Sequence, residues 1–420
     1  MAMDTVADAQ TSGSTGFCIV GAGPAGMILA LLLARQGIEV TLLERHGDFD
    51  RDFRGDTIHP STLDLMDQLG LIEQLLEFPH GQLRGLQLIS NGQVTRIAEF
   101  RGLGFRYPFI MLLPQATFLA FLADQARQYP HFHLELGANV QEVLQEEEKV
   151  CGVRYQRADH SHHELRALLT VGADGRFSKL RQQANLPVSP AAPPMDVIWF
   201  RLPRLETDPT DEASFYVGDG QMLVFLDRGD SWQIGLTILK GSFTQTKASG
   251  LERLHSILRR QVPWLGDRIL SLQDWRQFTL LAVESGCLRR WHRPGLLLIG
   301  DAAHIMSPVG GVGISYAIQD AIEAANYLTE PLRQGQVSEA DLTRVQRRRE
   351  ASVAVIQTFQ RFMQEQIVRT ALRTDRPFRL PLPMRVLLRL PGLRSLPARL
   401  IGYGWRPSRI RKALLAPQPG

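Results

Sequence analysis

The sequence predicts an α/β fold: a parallel-sheet domain interleaved with a mostly antiparallel β-sheet domain, followed by a C-terminal helical region. Three observations predict it. Residues 17–45 read as strand, glycine turn, helix and strand in immediate succession. An apolar strand running into a glycine-bearing turn and a helix returns at 171–181 and again at 296–328. Between those two segments, residues 197–202, 213–217, 222–226 and 232–239 are short, partly alternating apolar runs. They are joined by turns such as Gly218-Asp219-Gly220 and Arg228-Gly229-Asp230, as in an antiparallel sheet.

Composition narrows the class. The 420 residues are 44% hydrophobic and 21% charged, which excludes a disordered chain, a collagen-like repeat and a disulfide scaffold. No apolar run reaches the roughly 18–20 residues of a membrane span. Residues 1–16, MAMDTVADAQTSGSTG, lack a basic n-region and are expected to be a disordered leader. Cys18, Cys151 and Cys287 are odd in number and have no metal-ligand spacing, so a reduced cytoplasmic compartment and no metal site are expected. The net charge of +4 hides an asymmetry. Residues 344–420 hold 17 Lys and Arg against three Asp and Glu, whereas the rest of the chain holds 30 against 40.

The first unit carries the most chemistry. Residues 17–20 are a buried parallel strand, residues 24–36 a helix ended by Gly37, and residues 38–43 a second strand closed by Glu44. Gly21, Gly23 and Gly26 fall in G-x-G-x-x-G spacing. The first glycine permits a tight turn, the second lets a pyrophosphate approach the backbone, and the third lets helix and strand pack closely. The helix N-terminus adds free N–H groups and positive dipole, and Glu44 can accept from a ribose hydroxyl. An acid there suits the unphosphorylated ribose of FAD or NAD and leaves those two undecided. The β-rich stretch 132–155, with Val140 among its strand residues, precedes Asp174-Gly175 and a helix beginning near Ser178. The strand 296–299 ends at Gly300-Asp301, and the loop 307–313 opens an amphipathic helix. Backbone N–H groups in such a loop suit an electron-rich ligand.

The trio GAGPAG…E, ADG and GDAAH…P-x-G-G-x-G resembles the single-component, FAD-dependent aromatic hydroxylases of the p-hydroxybenzoate hydroxylase fold, a class that includes ubiquinone-biosynthesis hydroxylases. The resemblance implies a Rossmann-like, glutathione-reductase-type FAD domain over 17–80, 107–190 and 285–343. It implies a substrate domain over 81–106 and 191–284, and sets 344–420 apart as the basic helical region. It places Gly21, Ala22, Gly23, Pro24, Ala25 and Gly26 on the ADP part of FAD, with Glu44 on the ribose and Arg45 beside it. Arg54, Gln115 and Val140 join the cofactor set. Asp174 serves flavin and nicotinamide, and Asp301 holds the ribityl chain. Pro308, Gly310, Gly311, Gly313 and Ile314 lie beneath the pyrimidine side of the flavin. Ser315 stands where the family commonly has asparagine, which puts a side-chain bond to the ring in doubt. His304 reads as structural.

The implied reaction uses NADH or NADPH as transient reductant and O2 as co-substrate. It hydroxylates or epoxidises an electron-rich aromatic, quinol-like or polyketide-like small molecule by way of oxygen added at flavin C4a. No catalytic base is evident; His59 and Tyr216 are the weak candidates. Trp199, Arg201, Tyr216, Phe225 and Trp232 are candidates for the substrate wall, with ordinary packing the competing role for each. Alternation puts Trp199 and Arg201 on one face and Phe200 on the other. The rivals are a flavin-dependent reductase of isoprenoid double bonds, a non-redox cyclase or isomerase that binds flavin, and a plain NAD dehydrogenase. The residues 338–369 read as the closing helix. Beyond it arginines alternate with leucines and prolines, which suits either a cover for the flavin domain or a peripheral contact with anionic lipid. Nucleic acid is not expected, and a monomer or homodimer is.

Overall fold

The computed structural model describes residues 11–50, 56–191, 193–209, 212–218, 220–372, 378, 380–390 and 393–417. Its centre is a parallel sheet in the order Leu296–Leu298, His162–Gly172, Thr11–Val20, Val40–Glu44, Phe132–Leu136. The strands are apolar where they are buried, at Phe17–Val20, at Val40, Leu42 and Leu43, and at Leu296–Leu298. The helix Pro24–Ala34 is buried along its whole length from Ala25 onward, as expected of a helix that is apolar all round. The first strand begins at Thr11 and not at residue 17, so residues 11–15 of the expected leader pair with residues 163–167. Residues 1–10 lie outside the described residues. An antiparallel hairpin, Asn139–Glu146 and Lys149–Gln156, hangs from the sheet beside His162–Gly172.

The second sheet has seven strands in the order Thr279–Leu281, Met195–Pro203, Ser231–Leu239, Gln221–Asp227, Glu212–Gly218, Gly85–Ser90, Gln93–Glu99. All neighbours are antiparallel except Glu212–Gly218 and Gly85–Ser90, which run parallel where the two chain segments meet. Strand alternation divides its side chains between two places. Ile198, Phe200, Leu223, Phe225, Trp232 and Ile234 form one core with the helix Leu251–Gln261. Met195, Val197, Met222 and Leu88 face the other way, toward the parallel-sheet domain.

The helix Gly313–Arg333 crosses behind the parallel sheet, and the helix Glu339–Met363 packs along it. Ser338 caps the latter in a capping box with Asp341, its N–H donating to Oδ2 at 3.0 Å. A π-helical turn, Gln364–Val368, interrupts the end of this long helix. Short helices Leu382–Arg389 and Leu396–Gly402 follow, and residues 410–415 tuck Ile410 and Leu414 into the main core. The tail is strapped down by its own carbonyls: Arg35 Nη2 donates to Leu415 O at 2.9 Å, and Gln36 Nε2 donates to Leu414 O and Ala416 O.

Candidate active site

The turns at the C-terminal ends of the parallel strands and one face of the seven-stranded sheet enclose a single cavity of about 560 Å³. The edge formed by strand ends is where open α/β sheets bind ligands. Each glycine of the first turn has its own steric reason. A Cβ on Gly21 (φ +102°) would lie 2.5 Å from Ala173 O, and one on Gly26 would lie 2.0 Å from Gly21 O. Both positions are closed by backbone. A Cβ on Gly23 would meet nothing within 4 Å, so that position opens onto the cavity. Glu44 ties the turn to the second strand, its Oε2 accepting from Ala22 N–H at 2.9 Å and its Oε1 from His46 N–H at 3.1 Å.

Gly21, Ala22, Gly23, Pro24, Ala25, Glu44, Arg45, Gln115, Val140, Asp174, Asp301, Pro308, Gly310, Gly311, Gly313 and Ile314 all line this one cavity. Gly26 lies behind it in the helix packing, and Arg54 lies outside the described residues. Asp174 Oδ2 accepts from Leu180 N–H at 3.3 Å, while its buried Oδ1 has no partner among the described residues. Burial pushes this carboxyl up from its ordinary value. A buried lone acceptor, an open glycine and the N-terminus of a 21-residue helix at Gly313 fit a dinucleotide bearing hydroxyls, a pyrophosphate and an electron-poor ring.

The sheet supplies the opposite wall. Val197 and Trp199, Ala213 and Phe215, and Met222, Val224 and Leu226 face the cavity at every second position. Trp199 lies against the backbone of its cross-strand partner Gly235, where a Cβ would come within 2.9 Å of the indole. The other four substrate candidates lie elsewhere. Arg201 does not line the cavity. Tyr216, Phe225 and Trp232 belong to the opposite core, where Trp264 Nε1 donates to the Tyr216 hydroxyl at 3.0 Å. The period of two fixes which residues share a face, but nothing local in the sequence says which face looks at the cavity.

His59 is not placed as a base. It is fully buried behind the glycine loop, with ring nitrogens 2.8 Å from Ile401 O and 3.0 Å from Gly311 O, and it does not line the cavity. Burial pushes its pKa down to about 4, against the two carbonyls that favour the charged ring. Ser315 points at Thr62, hydroxyl to hydroxyl at 3.2 Å, and away from the cavity. His304 is structural: its Nε2 lies 2.6 Å from Asp320 Oδ2, and the other oxygen of Asp320 accepts from Arg349 Nε at 2.8 Å. Burial opposes charge on Asp320, yet the charges of His304 and Arg349 hold its carboxyl below the ordinary range.

Several lining residues carry no signal in the sequence. Arg228 pairs with Asp56, 172 residues away in the chain, and its Nε donates to Gln233 Oε1 at 2.8 Å. Burial pushes the Arg228 pKa down. Asp56 also accepts from Gln115 N–H at 3.1 Å and so fixes the start of the helix Gln115–Ala126. Phe359, Met363, Ile367, Val368 and Ile401 bring the C-terminal region into the wall. That region is therefore part of the site and not an appendage to it. Among the described residues no group of acids, histidines and cysteines is arranged to hold a metal ion.

A family model described as an FAD binding domain matches residues 14–359. The 6-methylpretetramide 4-monooxygenase of Streptomyces rimosus is 33% identical over 404 residues, 95% of each chain. Two solved structures share the fold. OxyS anhydrotetracycline hydroxylase from Streptomyces rimosus gives a TM-score of 0.74 at 23% identity, covering 93% of this chain and 76% of that one. PqsL, described as a probable FAD-dependent monooxygenase from Pseudomonas aeruginosa, gives 0.72 at 21% identity over 85% of this chain and 97% of that one. Matched along most of its length both by the family model and by a curated relative, the chain belongs to the FAD-binding-domain family and is an FAD-dependent monooxygenase.

Proposed function

We propose that the enzyme inserts one oxygen atom from O2 into an electron-rich aromatic, polyketide-like substrate, with NADH or NADPH as the reductant. The observation that carries this reading is a single cavity walled on one side by the glycine turns and on the other by the apolar sheet face. Segments 17–80, 107–190 and 285–343 would hold FAD, and 81–106 with 191–284 would hold the substrate. Gly21 to Ala25, Glu44 and Arg45 would take the ADP portion, Asp174 a hydroxyl or phosphate-side group, and Asp301 the ribityl chain. Backbone N–H groups of Gly313 and Ile314 would face the pyrimidine side, while that of Gly311 donates to Pro308 O at 3.0 Å and holds the loop. Bound there, FAD would supply the chemistry of hydride acceptance from nicotinamide and of O2 activation.

The protein's own residues bind, orient and exclude water. The N-terminus of the helix Gly313–Arg333 stabilises negative charge that develops against the loop 310–314. Met195, Val197, Trp199, Phe215 and Val224 give a flat, apolar wall suited to an aromatic face. The ionised pair Arg228–Asp56, with Gln233, sets one polar edge to that wall. The relative whose name gives 6-methylpretetramide as its substrate supports the polyketide class. Purified protein is expected to carry one flavin per chain and to oxidise NADH or NADPH faster when an aromatic polyketide is added. A colourless protein that takes up no flavin would end this reading.

A further inference from the structure

We propose that the exposed face of the helix Leu382–Arg389, with Leu390, Leu393, Arg394 and Leu396, is a docking surface for an anionic lipid bilayer. Among the described residues, twelve large apolar side chains are exposed, and six of them fall between Leu382 and Trp405. Such clustering marks an interaction surface, whereas single exposed leucines need no explanation. Spacing sharpens the observation. On the helix Leu382–Arg389 and the residue after it, Leu382 (64% exposed), Val386 (47%) and Leu390 (44%) repeat every four residues on one face. Arg385 and Arg389 share that face at the intervening i+3 positions. Leu393 and Leu396, also exposed, follow in a turn with Arg394 between them, tied to the helix end by Leu393 N–H and Arg394 N–H donating to Leu390 O at 3.2 Å.

The opposite face of the same helix is fixed to the protein. Met384 is fully buried in one cluster with Met195, Val197, Ile367 and Val368, which line the cavity. The helix thus packs behind the cavity wall with one side and presents alternating leucine and arginine with the other. Arg385, Arg389 and Arg394 make no ion pair among the described residues, and residues 376–420 contain no Asp or Glu at all. A second copy of the chain docked through this face by two-fold symmetry would set arginine against arginine. An anionic bilayer satisfies both features, since leucines enter the acyl boundary while arginine stems lie along it and their heads reach lipid phosphates. No helix among the described residues is long and apolar enough to cross a membrane, so the contact is peripheral.

The test is cosedimentation of the full chain with vesicles of phosphatidylcholine alone and of phosphatidylcholine mixed with phosphatidylglycerol. The chain is expected to pellet with the mixed vesicles only, and less as salt is raised. Each of R385Q, R389Q and R394Q is expected to lower partitioning roughly fivefold. The double variant L382S/V386S is expected to abolish partitioning while unfolding at the wild-type temperature. Failure to pellet with either vesicle, equal pelleting with both, or wild-type pelleting by these variants would overturn the proposal. Retention of the chain by an acidic protein without any vesicle binding would overturn it too.

Discussion

At Gly23 the demands of the fold and of the ligand separate. Its backbone is extended (φ −72°, ψ −178°) and a Cβ there touches nothing within 4 Å. Gly23→Ala is expected to leave the melting temperature of the flavin-free protein unchanged while lowering FAD affinity at least tenfold, as read by flavin titration. Gly26→Ala puts a methyl 2.0 Å from Gly21 O and is expected to cost about 1–3 kcal/mol or more of fold stability. Equal loss of flavin and stability in both variants would contradict the division. His59 makes a prediction of a different kind. Its folded pKa, pushed down to about 4 from 6.5 by burial, means that the unfolded chain takes up this proton first. Stability therefore rises with pH: the contribution is intact above about 6.5 and is lost as pH falls toward 4, on the order of 3 kcal/mol in all. His59→Gln is expected to flatten that part of a denaturation-versus-pH curve. A wild-type fold that gains stability between pH 6.5 and 4 would show that the two carbonyls at Gly311 and Ile401 keep the ring charged.

Elements show what the sequence made legible and what it did not. Both glycine-rich turns, their flanking strands and the acids at strand ends were legible because each motif is local. A turn, a cap and a strand end lie within a few residues of one another, and steric rules read them directly. The substrate wall was legible only as strands. Whether the cavity lies on the face of Trp199 or on that of Trp232 is decided by packing against the helix Leu251–Gln261, which is a tertiary matter. The Asp56–Arg228 pair was invisible for the same reason. Two tryptophans one strand apart now serve as a test. Trp199→Ala is expected to raise KM or redirect product with little loss of stability. Trp232→Ala empties a core site and removes the 2.8 Å bond to Asp208, so a loss of about 3–5 kcal/mol is expected with kinetics unchanged in what remains folded. The helix Glu339–Met363 joins the core through Leu342, Val345, Val353 and Ile356, and among them it buries one charge, Arg349, completely. Arg349→Met would strand the charge of Asp320 and is expected to cost about 3–5 kcal/mol in chemical denaturation.

Across the whole molecule the charge asymmetry resolves into two layers. Arg349, buried against Asp320, and Arg348, exposed but reaching Glu323, bind the long helix to its neighbour. From residue 396 on, the tail is held mainly through backbone carbonyls and apolar side chains: Ser352 Oγ donates to Trp405 O, and Asn326 Nδ2 donates to Arg409 O at 2.9 Å. Most of the tail's described basic side chains lie at the surface, where the bilayer proposed above would meet them. The two sheets, by contrast, meet at the cavity, lined by the glycine turns of one and the alternate face of the other. In this shared cavity oxygen would pass from O2 to the substrate. The direct measurement is mass spectrometry of the product formed under O2 carrying the heavy oxygen isotope, with NADH or NADPH and an aromatic polyketide. One heavy oxygen atom is expected in each product molecule; a product without it, made at the same rate when O2 is excluded, would rule out oxygen insertion.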